Sequence, residues 1–300
     1  MTVALGVVAG GCDMGKITVN TTAKVLLRAQ PALQQESDYE LARQAIPGAL
    51  KTVEGFWIVS PDNENLTKIL TEGYCQYGTA FVEDDWEQAK LDHRLADIEY
   101  HNTRANHIFT RCLNFALKRL GSRWQKEIFG SPEVIAKLLK DTGSGSRFDM
   151  LFAGLALGSL INHNLSNIDM IAYLPTVEAI MQRVLEIDKA HPQSNLMYAA
   201  LPYIALAMVH SGVPAAVGGK PDQAKAEFEM ALKLTGDKFL LARSLMGIRV
   251  GLATNDRKLF HDQLKLVLET APSVWPEQRL ANEVAHRKAR LYLSHEKDLF

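Results

Sequence analysis

The 300-residue chain is 47% apolar and 22% charged, a composition that excludes a disordered chain and a collagen-like repeat. Its 33 Lys and Arg against 34 Asp and Glu leave a formal charge of -1, so no basic excess exists to hold a nucleic acid as partner. A chain this long buries roughly 75% of the surface it exposes when unfolded, and needs no metal or disulfide to hold a core.

Residues 1–11, MTVALGVVAGG, carry no charge and run into Cys12-Asp13. This is the layout of a bacterial lipoprotein signal, with Ala9-Gly10-Gly11-Cys12 as a permissive lipobox and Cys12 as the candidate lipid anchor. Eleven residues are too few to cross a hydrocarbon core, which takes about 20 helical residues, and the basic start of an export signal is missing. Two readings stay open: an N-terminus without fixed structure, or a signal that begins upstream of Met1. Residues 13–300 read as one helical domain.

Apolar residues then recur at steps of three and four, and no Asn-Gly hairpin turn appears. The spacing predicts a first helix over 17–35 and a second from the N-cap Asp38 to Val59, with Pro47 as a kink. Ser60-Pro61-Asp62-Asn63 breaks the chain before a third helix over 64–81 and a long fourth over 86–120. Ser131-Pro132-Glu133 reads as a helix start and Thr142 to Ser146 as a loop. Further helices are predicted over 148–161, 175–191, 195–210, 221–235, 237–253, 256–270 and 276–293. The most apolar stretch, Leu196 to Val209, is interrupted by Pro202, and no segment reads as a membrane span. The fold class that follows is all-α, a solenoid or bundle. Ala49, Val53, Phe56, Pro61 and Ala224, Phe228, Ala231, Gly236 share the offsets four, seven and twelve. That is the small-large-small face and breaker of a tetratricopeptide-repeat second helix.

Chemistry-bearing motifs are missing. There is no HExxH, Walker loop, GxGxxG, GxSxG or paired CxxC, and none of the nine histidines pairs with another four residues along a helix. No catalytic residue, metal site or cofactor is expected. Cys75 and Cys112 sit within apolar helical patterns and read as buried thiols. Asp84-Asp85 reads as favourable charge at the start of the fourth helix, and Arg287, Lys288 and Arg290 as a solvated face of the last one.

Several stretches in order carry a resemblance: YELARQAIPGALKTVEGFWIVSPDNENL (39–66), TEGYCQYGTAFVED (71–84), NTRANHIFTRCLNFALKRL (102–120), GGKPDQAKAEFEMALKLTGDKFLLARSL (218–245) and NEVAHRKARLYL (282–293). Together they resemble the T component (TatT) of TRAP-associated tetratricopeptide-repeat transporters, from about residue 16 to Phe300. TRAP systems are tripartite ATP-independent periplasmic transporters of organic acids and related solutes. The resemblance implies a periplasmic lipoprotein anchored through Cys12 and, with Asp13 after it, held at the inner membrane. It also implies a tetratricopeptide-like α-solenoid of stacked antiparallel helix pairs, a homotrimer, and docking on the solute-binding P component. Two departures concern the anchor alone: the segment before Cys12 is short for a signal, and Ala9 stands where Leu is usual.

A cleft or pore for an apolar or organic-acid ligand belongs to the same picture. The helix around Met197, Tyr198 and Tyr203 is apolar on every face, so it is either a central core helix or turns one side to an apolar cavity or a trimer contact. Phe152 on the 148–161 helix poses the same choice, and so do Tyr74, Tyr77 and Phe81, which recur at helical spacing. Pro202 would free a backbone carbonyl on its helix. The loop 213–219, apolar and rich in Gly and Pro, is expected to touch a core or a neighbour. The alternative reading is a cytosolic repeat scaffold that binds peptides, with a polar concave groove in place of an apolar one.

Overall fold

A computed structural model describes residues 13–212 and 219–300. The expected anchor Cys12 and residues 213–218 of the apolar loop lie outside these residues. Among the described residues, thirteen helices of nine or more residues account for the fold. They are α1 Met14–Ala29, α2 Tyr39–Val59, α3 Glu64–Tyr77, α4 Glu83–Leu91, α5 Leu95–Leu120, α6 Pro132–Asp141 and α7 Arg147–Asn162. The rest are α8 Leu174–Ala190, α9 Leu196–His210, α10 Pro221–Leu234, α11 Leu240–Thr254, α12 Arg257–Glu269 and α13 Arg279–Ser294. Helix starts fall where the polar caps stand. Asp38 accepts from the amides of Glu40 and Leu41, Asn195 from Tyr198 and Asp256 from Leu259. None of the described helices is long and apolar enough to cross a membrane.

Three boundaries depart from the sequence expectation. The first helix stops at Ala29 and resumes as a single turn, Pro31–Gln34. The last begins at Arg279, after a 3₁₀ turn at Pro276–Gln278. The expected break between residues 81 and 86 is absent. α3 runs through a π-helical turn, Gly78–Val82, directly into α4, and the chain breaks at Asp92–Arg94, where His93 takes φ 55°. Glycine at 78 permits this course, because a Cβ there would lie 2.7 Å from the Phe109 ring of α5.

Cys75 on α3 and Cys112 on α5 are not thiols. They form a disulfide, with Cα atoms 5.4 Å apart. Spacing within each helix tells only that both residues face the core. That they face each other is a property of how α3 packs on α5.

Neighbouring helices pack in sequence: α2 on α3, α3 on α5, α5 on α7, α7 on α8, then α9 on α10, α10 on α11, and α11 on α12 and α13. α7 buries Met150, Leu151, Phe152, Ala153, Ala156 and Leu157 and serves as a core helix. α9 is covered on two sides. Ala205 and Leu206 join the larger core, whereas Met197, Ala200, Ile204 and Ala207 pack with Phe228 of α10. This explains an all-round apolar helix without a channel. Pro202 inside α9 cannot donate to the carbonyl of Tyr198; Arg147 does so instead at 2.7 Å while pairing with Asp188 at 2.6 Å. The freed carbonyl is thus a structural tie between α7, α8 and α9. Of the two repeat-like faces, Ala224, Phe228 and Ala231 are fully buried, whereas Ala49 is exposed.

One set of contacts joins the two ends of the chain. α13 returns to the first half of the chain and touches α2 and the Pro31–Gln34 turn. Its partner in charge is α4, where Glu83, Asp84, Asp85 and Glu87 each reach a different group. Glu83 meets the His163 Nε2 at 3.3 Å, Asp84 the Arg287 Nε at 2.5 Å, Asp85 the Arg43 Nη2 at 2.7 Å, and Glu87 the Lys288 Nζ. These acids do not stand at a helix N-terminus as expected; they lie within a continuous helix, and Asp84 is fully buried. Nor is α13 a solvated face throughout. Arg290 is exposed, but Lys288 is only 3% exposed. A charge run on an amphipathic helix reads as solvated until its partners, some 200 residues away, are known.

Candidate functional site

α3 presents Ile69, Gly73, Tyr77 and, one turn on, Phe81 along one face, at the helical spacing of four. α2 crosses that face close by, since a Cβ on Gly73 would sit 2.5 Å from Leu50 Cδ2. α1 and the Pro31–Gln34 turn cover the groove without filling it. What remains is a cavity of about 260 Å³, walled by Leu26, Leu50, Ile69, Tyr77, Phe81 and Leu280 of α13. That is slightly below the ~300–1,000 Å³ of drug-sized sites and suits a short apolar body.

One end is polar. Gln30, Gln34 and Gln76 line it and donate to the carboxylate of Glu72, at 3.4, 3.4 and 3.0 Å. Behind them the Tyr198 hydroxyl donates to the same carboxylate at 2.6 Å. Glu72 is only 1% exposed, and among the described residues no Lys or Arg pairs with it. Burial therefore raises its pKa, against the opposing pull of the Tyr198 hydrogen bond and the Lys68 charge. Burial and the neighbouring carboxylate likewise push the Tyr198 phenol up. The carboxylate thus orients three amides, whose remaining donors and acceptors are available to a head group in the cavity.

A raised carboxyl pKa means that the folded chain holds this proton more tightly than the unfolded one. Its stabilising effect is complete below the ordinary carboxylate range and is lost as pH rises through the raised value. The slope in that window is at most about 1.4 kcal/mol per pH unit. Glu72→Gln should flatten the stability curve there, as urea titrations at a series of pH values between 4.5 and neutrality would read. A variant whose stability drifts with pH as steeply as the parent would refute the assignment.

Of the residues singled out from sequence, Tyr77 and Phe81 line the cavity, and Tyr198 stands behind its polar end. Tyr74 stacks on Phe115 with centroids 6.1 Å apart, and burial next to Glu54 lifts its phenol to about 12. Phe152 packs edge-on to Tyr198, Met197 lies in the smaller core with Phe228, and Tyr203 is half-buried beside it. Gln30, Gln34, Glu72 and Gln76 were missed. The one available signal was Glu72, an acid between the apolar positions Leu70 and Tyr74 on an otherwise buried helix face. Among the described residues no group of three or more His, Cys, Asp or Glu side chains is placed to hold a metal ion.

The family model described as TRAP transporter T-component matches residues 35–300. Among curated proteins no sequence match is found.

Proposed function

Since the chain belongs to the TRAP transporter T-component family, we propose that it is a non-enzymatic, periplasmic accessory protein that docks on the solute-binding P component of such a transporter. The family match over 35–300 carries this reading. The Cys75–Cys112 disulfide supports it independently, because such bonds persist in oxidising compartments such as the bacterial periplasm. The same bond disfavours a cytosolic scaffold. In this reading Cys12 carries the lipid that holds the protein at the inner membrane, residues 13–300 form one tetratricopeptide-like domain, and three copies assemble.

The cavity bounded by Tyr77 and Phe81 would hold the apolar part of a ligand, with Tyr198 ordering its polar end through Glu72; Tyr74, Phe152, Met197 and Tyr203 would stiffen the surrounding core. Its amide-lined end, backed by Glu72, favours an uncharged hydrogen-bonding head over a free carboxylate, which would meet Glu72 without a cation between them. The test is calorimetric titration of the protein with the solute-binding P component of a TRAP transporter from the same genome. Saturable binding in the micromolar range is expected, and absence of heat up to millimolar concentration would overturn the docking role.

A further inference from the structure

α1 buries only two of its sixteen residues, Val19 and Ala23, whereas α3 buries nine of fourteen. Its inner side, with Leu26 and Ala29, closes the cavity. Its outer side carries Met14, Ile17, Thr21, Lys24, Val25 and Arg28, which recur at steps of three and four and are all exposed. Met14, Ile17 and Val25 are 71, 49 and 62% exposed, so large aliphatic groups stand in water along the whole helix. The hydroxyls of Thr18 and Thr21 donate to the carbonyls of Met14 and Ile17 one turn back, at 2.9 and 3.0 Å, and add little polarity to the face.

The charge on this segment has one sign. Lys16, Lys24 and Arg28 are the charged residues of 14–35, and none has an acid within 4 Å among the described residues. The acids that bracket the segment are spent on backbone amides: Asp13 accepts from Lys16, and Glu36 from Ser37 and Asp38. The exposed cations of α12 behave differently, Lys258 pairing with Asp262 and Lys265 with Glu269 one turn on. In a chain whose formal charge is -1, a wholly basic stretch of this length is a local departure.

Unpaired cations interleaved with exposed aliphatic side chains match a surface that is anionic outside and apolar just beneath. A bilayer with anionic headgroups has that layering. The aliphatic groups enter the boundary between headgroups and acyl chains, while the stems of Lys24 and Arg28 lie along it and bring their charges to the phosphates. The face is also convex, the shape of one helix resting on a plane. We propose that α1 lies along an anionic phospholipid surface, with Met14, Ile17 and Val25 in the headgroup boundary and Lys24 and Arg28 on lipid phosphates. A lipid on Cys12 would hold the domain near a bilayer without orienting it; this contact acts without that lipid and turns the cover of the cavity toward the membrane.

The test uses the full chain with Cys12→Ser, which carries no lipid and, with Cys75 and Cys112 bonded, no free thiol. Co-sedimentation is measured with vesicles of phosphatidylglycerol mixed with phosphatidylcholine, and of phosphatidylcholine alone. Binding to the anionic vesicles at low salt is expected, and its loss in molar salt. It should weaken about fivefold for each charge removed in Lys24→Gln and Arg28→Gln, and about tenfold in Ile17→Ser with Val25→Ser. These positions are exposed, so the melting curves of the variants should match the parent. An environment-sensitive dye on Val25→Cys should shift to the blue on anionic vesicles, and one on Leu252→Cys of α11 should not. Absence of binding, indifference to the charge variants, or equal shifts of the two dyes would overturn the proposal. So would binding of a solute-binding P component that is lost in Lys24→Gln and Arg28→Gln while the vesicles are ignored, which would give this face to a protein.

Discussion

Lys288→Met is expected to destabilise the fold by about 3–5 kcal/mol, the range for breaking one side of a buried ion pair. Lys288 and its partner Glu87 are 3% and 7% exposed, and each stands in the core between α13 and α4. Burial alone would pull the ammonium pKa down. The charges of Glu87 and Asp84, together with the Glu87 hydrogen bond, overcome that effect and hold it above the ordinary lysine value. The pair's contribution is therefore present at neutral pH and is lost only as pH rises beyond the lysine range. Methionine keeps the length of the stem but strands Glu87, whose nearest other cation, Arg249, is 4.0 Å away.

The double variant Lys288→Met with Glu87→Leu removes both charges and should recover most of the loss, because desolvating the pair costs nearly what its attraction returns. Urea unfolding of the parent, the two single variants and the double variant measures this as a cycle. A single variant no less stable than the double would show that the charges do not see each other.

Local pattern carried most of the helices and little of what joins them. Period-3.6 apolar spacing and the caps Asp38, Asn195 and Asp256 mark where helices begin, because those signals act within one turn. The run from Glu83 to Glu87 misled, since acids at a helix start and acids buried within a helix look alike until Arg43, His163, Arg287 and Lys288 are brought up to them. The cavity was half legible for the same reason. Tyr77 and Phe81 share a face by helical spacing, but Gln30 and Gln34 join them only because α1 turns at Pro31 and lies across α2 and α3. Pro202 was legible as a freed carbonyl, whereas the residue that satisfies it, Arg147, lies 51 positions away from Tyr198.

Replacing both Cys75 and Cys112 by alanine is expected to cost about 3–4 kcal/mol and to lower the melting temperature by on the order of 5 °C. The bond closes a separation of 37 residues, between α3 and α5, and so restricts the unfolded chain over the whole π turn, α4 and the Asp92–Arg94 break. The loss should fall short of unfolding, because α3 and α5 also pack Leu70, Tyr74, Phe109 and Phe115 in the same core. Both sulfur-bearing residues are buried, at 5% and 0% exposure, so a reductant should act only as the chain opens. Thiol titration in denaturant gives the direct count: in protein prepared without the lipid, one thiol from the chain's three cysteines before reduction and three after it, and with Cys12 lipidated, none before and two after. Three thiols in unreduced protein prepared under oxidising conditions would remove the bond, and with it the strongest physical argument for an oxidising compartment. If the bond is present, protein folded in a reducing cytosol should melt lower than exported protein by the same interval as the alanine variant. The stability of this core would then depend on the compartment in which the chain folds.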